Sequence, residues 1–91
     1  MRIQWTSKAH SDLVRLYEFL RLVNADAAAR TVQMLAVAPN KLLRNPRAHE
    51  QLWEFAPREV RRMFVGNYEM RYEVQDSVIY ILRLWHTRED R

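Results

Sequence analysis

Gly66-Asn67-Tyr68-Glu69-Met70-Arg71-Tyr72-Glu73-Val74 is the stretch that decides the fold class. From Tyr68 onward, large apolar side chains at 68, 70, 72 and 74 alternate with charges at 69, 71 and 73. That period of two belongs to a strand with one face buried. Gly66-Asn67 in front of it is a two-residue hairpin turn, with glycine where a type II′ turn needs positive φ. Val60 to Val65 is then the preceding strand. Asp76 marks the next turn, and Val78 to Trp85 is apolar on both faces, as suits a central strand.

Toward the N-terminus the period lengthens to that of a helix. Ala9, Leu13, Leu16, Tyr17 and Leu20 recur at spacings of three and four behind an N-cap oxygen from Thr6 or Ser7. Asn24 caps a second helix with Asp26 in its first turn, and Ala28, Val32, Leu35 and Ala36 form its buried stripe. Pro39 ends or bends that helix. Arg2 to Thr6 reads as a short opening strand, and Asn45-Pro46-Arg47 as a loop. The expected architecture is α+β, one domain over residues 1–91: an N-terminal strand and an α-helical hairpin packed on a three- to four-stranded antiparallel sheet.

Register assigns faces. A two-residue turn pairs Val65 with Tyr68, Met63 with Met70 and Arg62 with Arg71. A three-residue turn at Gln75-Asp76-Ser77 pairs Val74 with Val78 and Glu69 with Arg83; a two-residue turn would drop Arg83 into the apolar layer. The open face of the sheet then carries Arg62, Phe64, Glu69, Arg71, Glu73, Ile79, Ile81, Arg83 and Trp85. Like charges directly opposite each other destabilise a sheet, so an Arg62–Arg71 pair needs a reason. Either Glu69 and Glu73 neutralise the arginines and a crossing loop covers the rest, or this face is an arginine-rimmed apolar groove for a partner segment. The groove is the preferred reading.

Composition bounds the chemistry. Ninety-one residues make one domain with a modest core. With no cysteine, and His10, His49 and His86 far apart, neither a disulfide framework nor a metal site is expected, and no cofactor. A partner chain is the remaining source of stability. No apolar run is long enough for a membrane span, and no signal-type segment opens the chain, so a cytoplasmic protein with no membrane role is expected. The net charge is +4. Residues 1–53 hold eight Lys or Arg against four acids, and residues 54–91 hold seven arginines against seven acids. This excess permits a nucleic-acid or acidic-protein partner without requiring one.

Three segments carry a family resemblance. They are Trp53 through Val65 with its Arg58-Glu59-Val60-Arg61-Arg62 core, the Tyr68-to-Tyr72 strand, and the closing Trp85-His86-Thr87-Arg88-Glu89-Asp90-Arg91. Together with Trp5, Ala9, Asp12 and Leu13, the chain resembles the RelE/ParE toxin superfamily of type II toxin–antitoxin systems, the plasmid stabilisation proteins, and stands nearer ParE. The resemblance implies a cognate antitoxin, ParD- or RelB-like, wrapping the toxin, with a toxin–antitoxin heterotetramer as one assembly. It implies one of two targets. ParE-like members trap DNA gyrase without cutting; RelE-like members cut mRNA on the ribosome. A nuclease would assign His86, Arg88 and Arg62 to catalysis. Against that, Phe64 falls where RelE-like nucleases carry a basic residue, and their tyrosine-bearing C-terminal extension has no counterpart before Arg91. The preferred reading of His86 is a structural strand-end histidine bonded to a backbone group or carboxylate. The candidate surface for target or antitoxin is Arg62, Phe64, Arg71, Ile79, Ile81, Arg83, Trp85 and Arg88. Gyrase inhibition by binding is the expected activity.

Overall fold

The computed structural model describes residues 1–89. Its strands are β1 (Arg2–Trp5), β2 (Glu50–Gln51), β3 (Val60–Val65), β4 (Tyr68–Gln75) and β5 (Val78–His86), and its helices α1 (Ser7–Leu20) and α2 (Ala25–Val37). They build one five-stranded sheet in the order β1-β5-β4-β3-β2, with the helical hairpin on one face. Thr6 caps α1 by accepting from the Ala9 N–H at 3.2 Å, and Asn24 caps α2 through the Ala27 N–H at 2.9 Å. Past Val37 the chain tightens into a 3-10 helix, Ala38–Leu43, because Pro39 can donate no helical hydrogen bond. Among the described residues no helix is long and apolar enough to cross a membrane.

The sheet differs from expectation in being mixed. β1 runs parallel to β5, with Arg2 opposite Val78 and Trp5 opposite Ile81. The helical hairpin carries the chain over one face and lets the first strand pair with the last. Only the hairpin pairings, which are local, could be seen in the alternation. β3 and β4 pair as their turn dictates, with Val65 opposite Tyr68, Met63 opposite Met70 and Arg62 opposite Arg71, and Gly66 holds φ +57°.

The β4–β5 register is a correction. The turn has two residues, Asp76 (φ 54°) and Ser77, so Gln75 faces Val78. Ile79 and Ile81 therefore lie on the helix side and are fully buried. They do not belong to the open face, and no partner meets them in the folded chain. A bulge at the Arg71/Tyr72 position then absorbs one residue of β5, returning Arg83 to Arg71 and Leu84 to Met70. That bulge removes the objection to a two-residue turn, which had assumed an unbroken ladder. Thr6 stitches the bulge: its hydroxyl donates toward the carbonyls of Ile81 (2.8 Å) and Leu82 (3.2 Å).

The core sits between helices and sheet, with Leu35, Leu42, Met63, Met70, Tyr72, Ile79 and Ile81 all fully buried. Burying each such aliphatic side chain contributes about 1.5–3 kcal/mol. Tyr72 donates its hydroxyl to the Pro46 carbonyl at 2.8 Å, and burial pushes its phenol up to about 12. Arg61 pins the same loop by donating to the carbonyls of His49 and Arg47 and to Gln51.

Candidate interaction groove

α1 should present only apolar residues to the sheet, yet Asp12 sits among them with its side chain 2% exposed. A buried carboxylate needs compensation. Arg83 supplies it bidentately, Nε to Oδ2 at 2.8 Å and Nη2 to Oδ1 at 3.1 Å, and the Leu84 N–H donates to Oδ2 at 3.1 Å. β1 ends at Trp5, opposite Ile81, so the edge of β5 beyond it has no neighbouring strand there. Asp12 closes that edge and fixes α1 at a set distance from it. The space left between α1 and the end of β5 is a groove of about 760 Å³. Its wall is Leu16, Phe19 and Leu20 of α1; its floor is Tyr68 and β5 from Leu84 to His86. Arg15 and Arg88 flank it.

The apolar surface continues past the groove. Phe19, Leu22 and Val23, at the tip of the hairpin, are 68%, 78% and 86% exposed. A tight turn with backbone bonds from Arg21 to Tyr17, Val23 to Leu20 and Asn24 to Leu20 holds them there. Exposed apolar clusters of this kind mark contact surfaces.

The sheet's other face is a closed lattice of charge. Arg62 bonds Glu50 at 2.8 Å and stands 3.7 Å from Glu69. Arg71 bonds Glu69 at 3.1 Å and lies over the rings of Trp85 (4.8 Å) and Phe55 (5.8 Å). Arg58 bonds Glu73, while the Arg61–Glu59 pair lies across the strand on the Tyr72 side. Burial disfavours charge on Glu59, but hydrogen bonds from Arg47 and Arg61 outweigh it and hold the carboxyl below its usual range. The crossing segment Trp53–Phe55 lies beside this face, and Trp85 is nearly buried. Phe64 stays half exposed, with Arg62 over its ring at 5.4 Å. Within the described residues, most cations in no salt bridge lie elsewhere, among them Lys8 and Arg15 on α1, Arg30 on α2, Lys41 and Arg44 after it, and Arg88 past β5; Arg2, on β1 opposite Val78, is the exception on this face. Apart from Arg2, these cations belong to the helical side and the tail.

His86, Arg88 and Arg62 are not brought together. His86 stands opposite Tyr68, rings edge-on at 5.2 Å, on the helix side of the sheet. Arg62 points to the open side, two strands and three residue rows away, roughly 14 Å by strand spacing. His86 Nδ1 accepts the Arg88 N–H at 3.1 Å, and the His86 N–H donates to Glu89 Oε1 at 3.1 Å. Burial, with the Glu89 charge adding to it, raises the Tyr68 phenol pKa. Of the sequence-predicted surface, Arg62, Phe64, Arg71 and Trp85 share the open face and Arg83 has turned to Asp12. Arg88 reaches the groove. The sequence reading missed Asp12, although a carboxylate three residues after Ala9 on an apolar stripe demands a buried cation. No group of three His, Cys, Asp or Glu suited to a metal occurs among the described residues.

The chain is thus an α+β domain with a helical hairpin on one face of a mixed five-stranded sheet and a groove at the free end of the last strand. A family model, the ParE toxin of the type II toxin–antitoxin system parDE, matches residues 3–91, and the chain belongs to that family. Among solved structures it is similar to one described as the chromosomal ParDE system from P. aeruginosa: 24% identity, 94% of this chain and 95% of that one, TM-score 0.78. No curated protein matches it.

Proposed function

We propose that this toxin arrests growth in the cytoplasm by binding DNA gyrase rather than by cutting RNA, and that a cognate antitoxin neutralises it by occupying the groove between α1 and β5. The observation carrying the first part is the division of the nuclease candidates by the sheet. General acid–base catalysis needs its groups within hydrogen-bond reach of one reacting centre. Arg62 on one face and His86 on the other cannot share a phosphate, and His86 Nδ1 is already engaged by the tail backbone. The second part rests on charge and shape. The groove is apolar, open and flanked by Arg15 and Arg88, so it suits an acidic amphipathic segment. The open face, with Arg58, Arg62 and Arg71 committed to carboxylates, offers that segment far less.

The test is to give purified toxin to gyrase with plasmid DNA and, separately, to ribosomes translating a defined mRNA. Loss of supercoiling or trapped cleaved DNA, with intact message, is expected. Cleavage of the message with gyrase unaffected would overturn the reading.

A further inference from the structure

Beyond Trp5 the outward edge of β5 turns two backbone donors away from the sheet, the N–H groups of Leu84 and His86. An open strand edge invites pairing with another chain. Both donors are taken by carboxylates. Asp12 holds the Leu84 N–H and is locked there by Arg83. Glu89 holds the His86 N–H, and it comes from the chain's own tail, which bends back by donating the Glu89 N–H to the His86 carbonyl and the Thr87 N–H to the Asn67 carbonyl at 2.9 Å each. The two caps differ in permanence. Asp12 is buried and anchors a helix to a strand; Glu89 is exposed, on a short excursion past the last strand residue.

We infer that the end of the groove at the His86 N–H, whose lining includes Arg15 and Arg88, is a carboxylate-binding site, and that Glu89 occupies it in cis as a stand-in for an acidic side chain of the partner. A carboxylate is the ligand already seen on this N–H, and both flanking cations lie outside any salt bridge within the described residues. Charge-assisted hydrogen bonds to a backbone N–H are stronger than neutral ones, so the site discriminates a carboxylate from an amide. A partner's Glu or Asp arriving along the apolar floor displaces Glu89 and takes over its bond. Glu89 therefore competes with the partner and sets a lower affinity than the groove would otherwise have. This inference rests on the groove being the antitoxin's seat.

The test uses the whole toxin and two synthetic amphipathic helical peptides, identical but for one terminal residue, Glu in one and Gln in the other. Their affinities are measured for the wild type and for Glu89→Ala, Glu89→Gln and Glu54→Gln. Glu54 lies outside the groove, so its variant adds the same charge without freeing the N–H. The expected result is that both Glu89 variants bind the Glu peptide at least about threefold more tightly, the Gln peptide gains less than half of that, and Glu54→Gln changes neither. Equal gains for both peptides, or an equal gain from Glu54→Gln, would overturn the carboxylate site and leave the groove standing. If neither peptide binds, or if Leu20→Glu does not weaken binding, the groove reading itself fails and this inference with it.

Discussion

Removing Arg83 should cost more stability than removing Asp12, although Arg83 is the more exposed partner. Side-chain exposure is 33% for Arg83 and 2% for Asp12. In Asp12→Ala the guanidinium can turn to water. The lasting losses are the hydrogen bond to the Leu84 N–H, about 1–3 kcal/mol for an orphaned buried donor, and a surface-like ion pair of about 0–1 kcal/mol. Roughly 1–4 kcal/mol follows. In Arg83→Ala the carboxylate stays buried without its guanidinium, the situation that costs about 3–5 kcal/mol. For a domain of this size each kcal/mol lowers Tm by about 4–8 °C, so the two variants are distinguishable by circular dichroism melts at pH 7. The double variant should be no less stable than Arg83→Ala alone, because the buried carboxylate is gone, giving a coupling at least as large as the cost of Asp12→Ala, about 1–4 kcal/mol. Additive single effects, or a larger loss from Asp12→Ala, would refute the view that a buried carboxylate organises this end of the groove.

Phe19→Glu should leave stability within about 0.5 kcal/mol, since the ring is largely solvent-exposed, yet weaken the antitoxin complex more than about tenfold by calorimetry, 1.4 kcal/mol. Trp85→Glu is a poorer probe, because Trp85 is nearly buried under Arg71 and its loss would disturb the fold as well. The Tyr72 phenol, pushed up to about 12 by burial, should ionise last among the tyrosines in an absorbance titration. Its raised value stabilises the fold fully below the unfolded tyrosine's pKa of about 10, and that contribution is lost as pH rises through 12. Ionisation of Tyr72 no later than the other tyrosines would contradict its placement. The His49 imidazole, held below its ordinary 6.5 by burial and by Lys41 and Arg61, binds a proton less readily folded than unfolded. Its contribution is therefore complete above that pH and falls as the solution is acidified toward the folded value. His49→Gln should flatten this slope in urea titrations, and an unchanged slope would assign it to other groups.

Most of the fold was legible because its signals are local. The alternation from Tyr68 to Val74, the Gly66 turn and the caps at Thr6 and Asn24 each depend on residues a few positions apart. The parallel pairing of β1 with β5 was not legible, since no short-range pattern specifies which edge a terminal strand chooses. Nor was the bulge. A run that is apolar on both faces, Val78 to Trp85, carries no periodicity to reveal a register shift, so Ile79 and Ile81 were assigned to the wrong side. The same uncertainty displaced the candidate site. Arg62 and Arg71 do face each other as expected, but Glu50 and Glu69 satisfy them, and the crossing segment after Leu52 brings Phe55 beside Arg71. The groove arises from α1 meeting the far end of β5, more than sixty residues away, a contact that only the Asp12 anomaly announced.

The central claim is that this terminus recognises and does not catalyse, and its most direct measurement is growth arrest by His86→Ala and Arg88→Ala at equal expression. A catalytic histidine contributes about 10²–10⁴-fold, so a nuclease would lose nearly all toxicity with His86→Ala. For a gyrase binder His86 supplies a ring contact to Tyr68 and an acceptor for the tail, whereas Arg88 offers to a carboxylate or phosphate a fork that is in no salt bridge among the described residues. His86→Ala should therefore still arrest growth, and Arg88→Ala should not. Harmless His86→Ala with lethal Arg88→Ala would contradict the account.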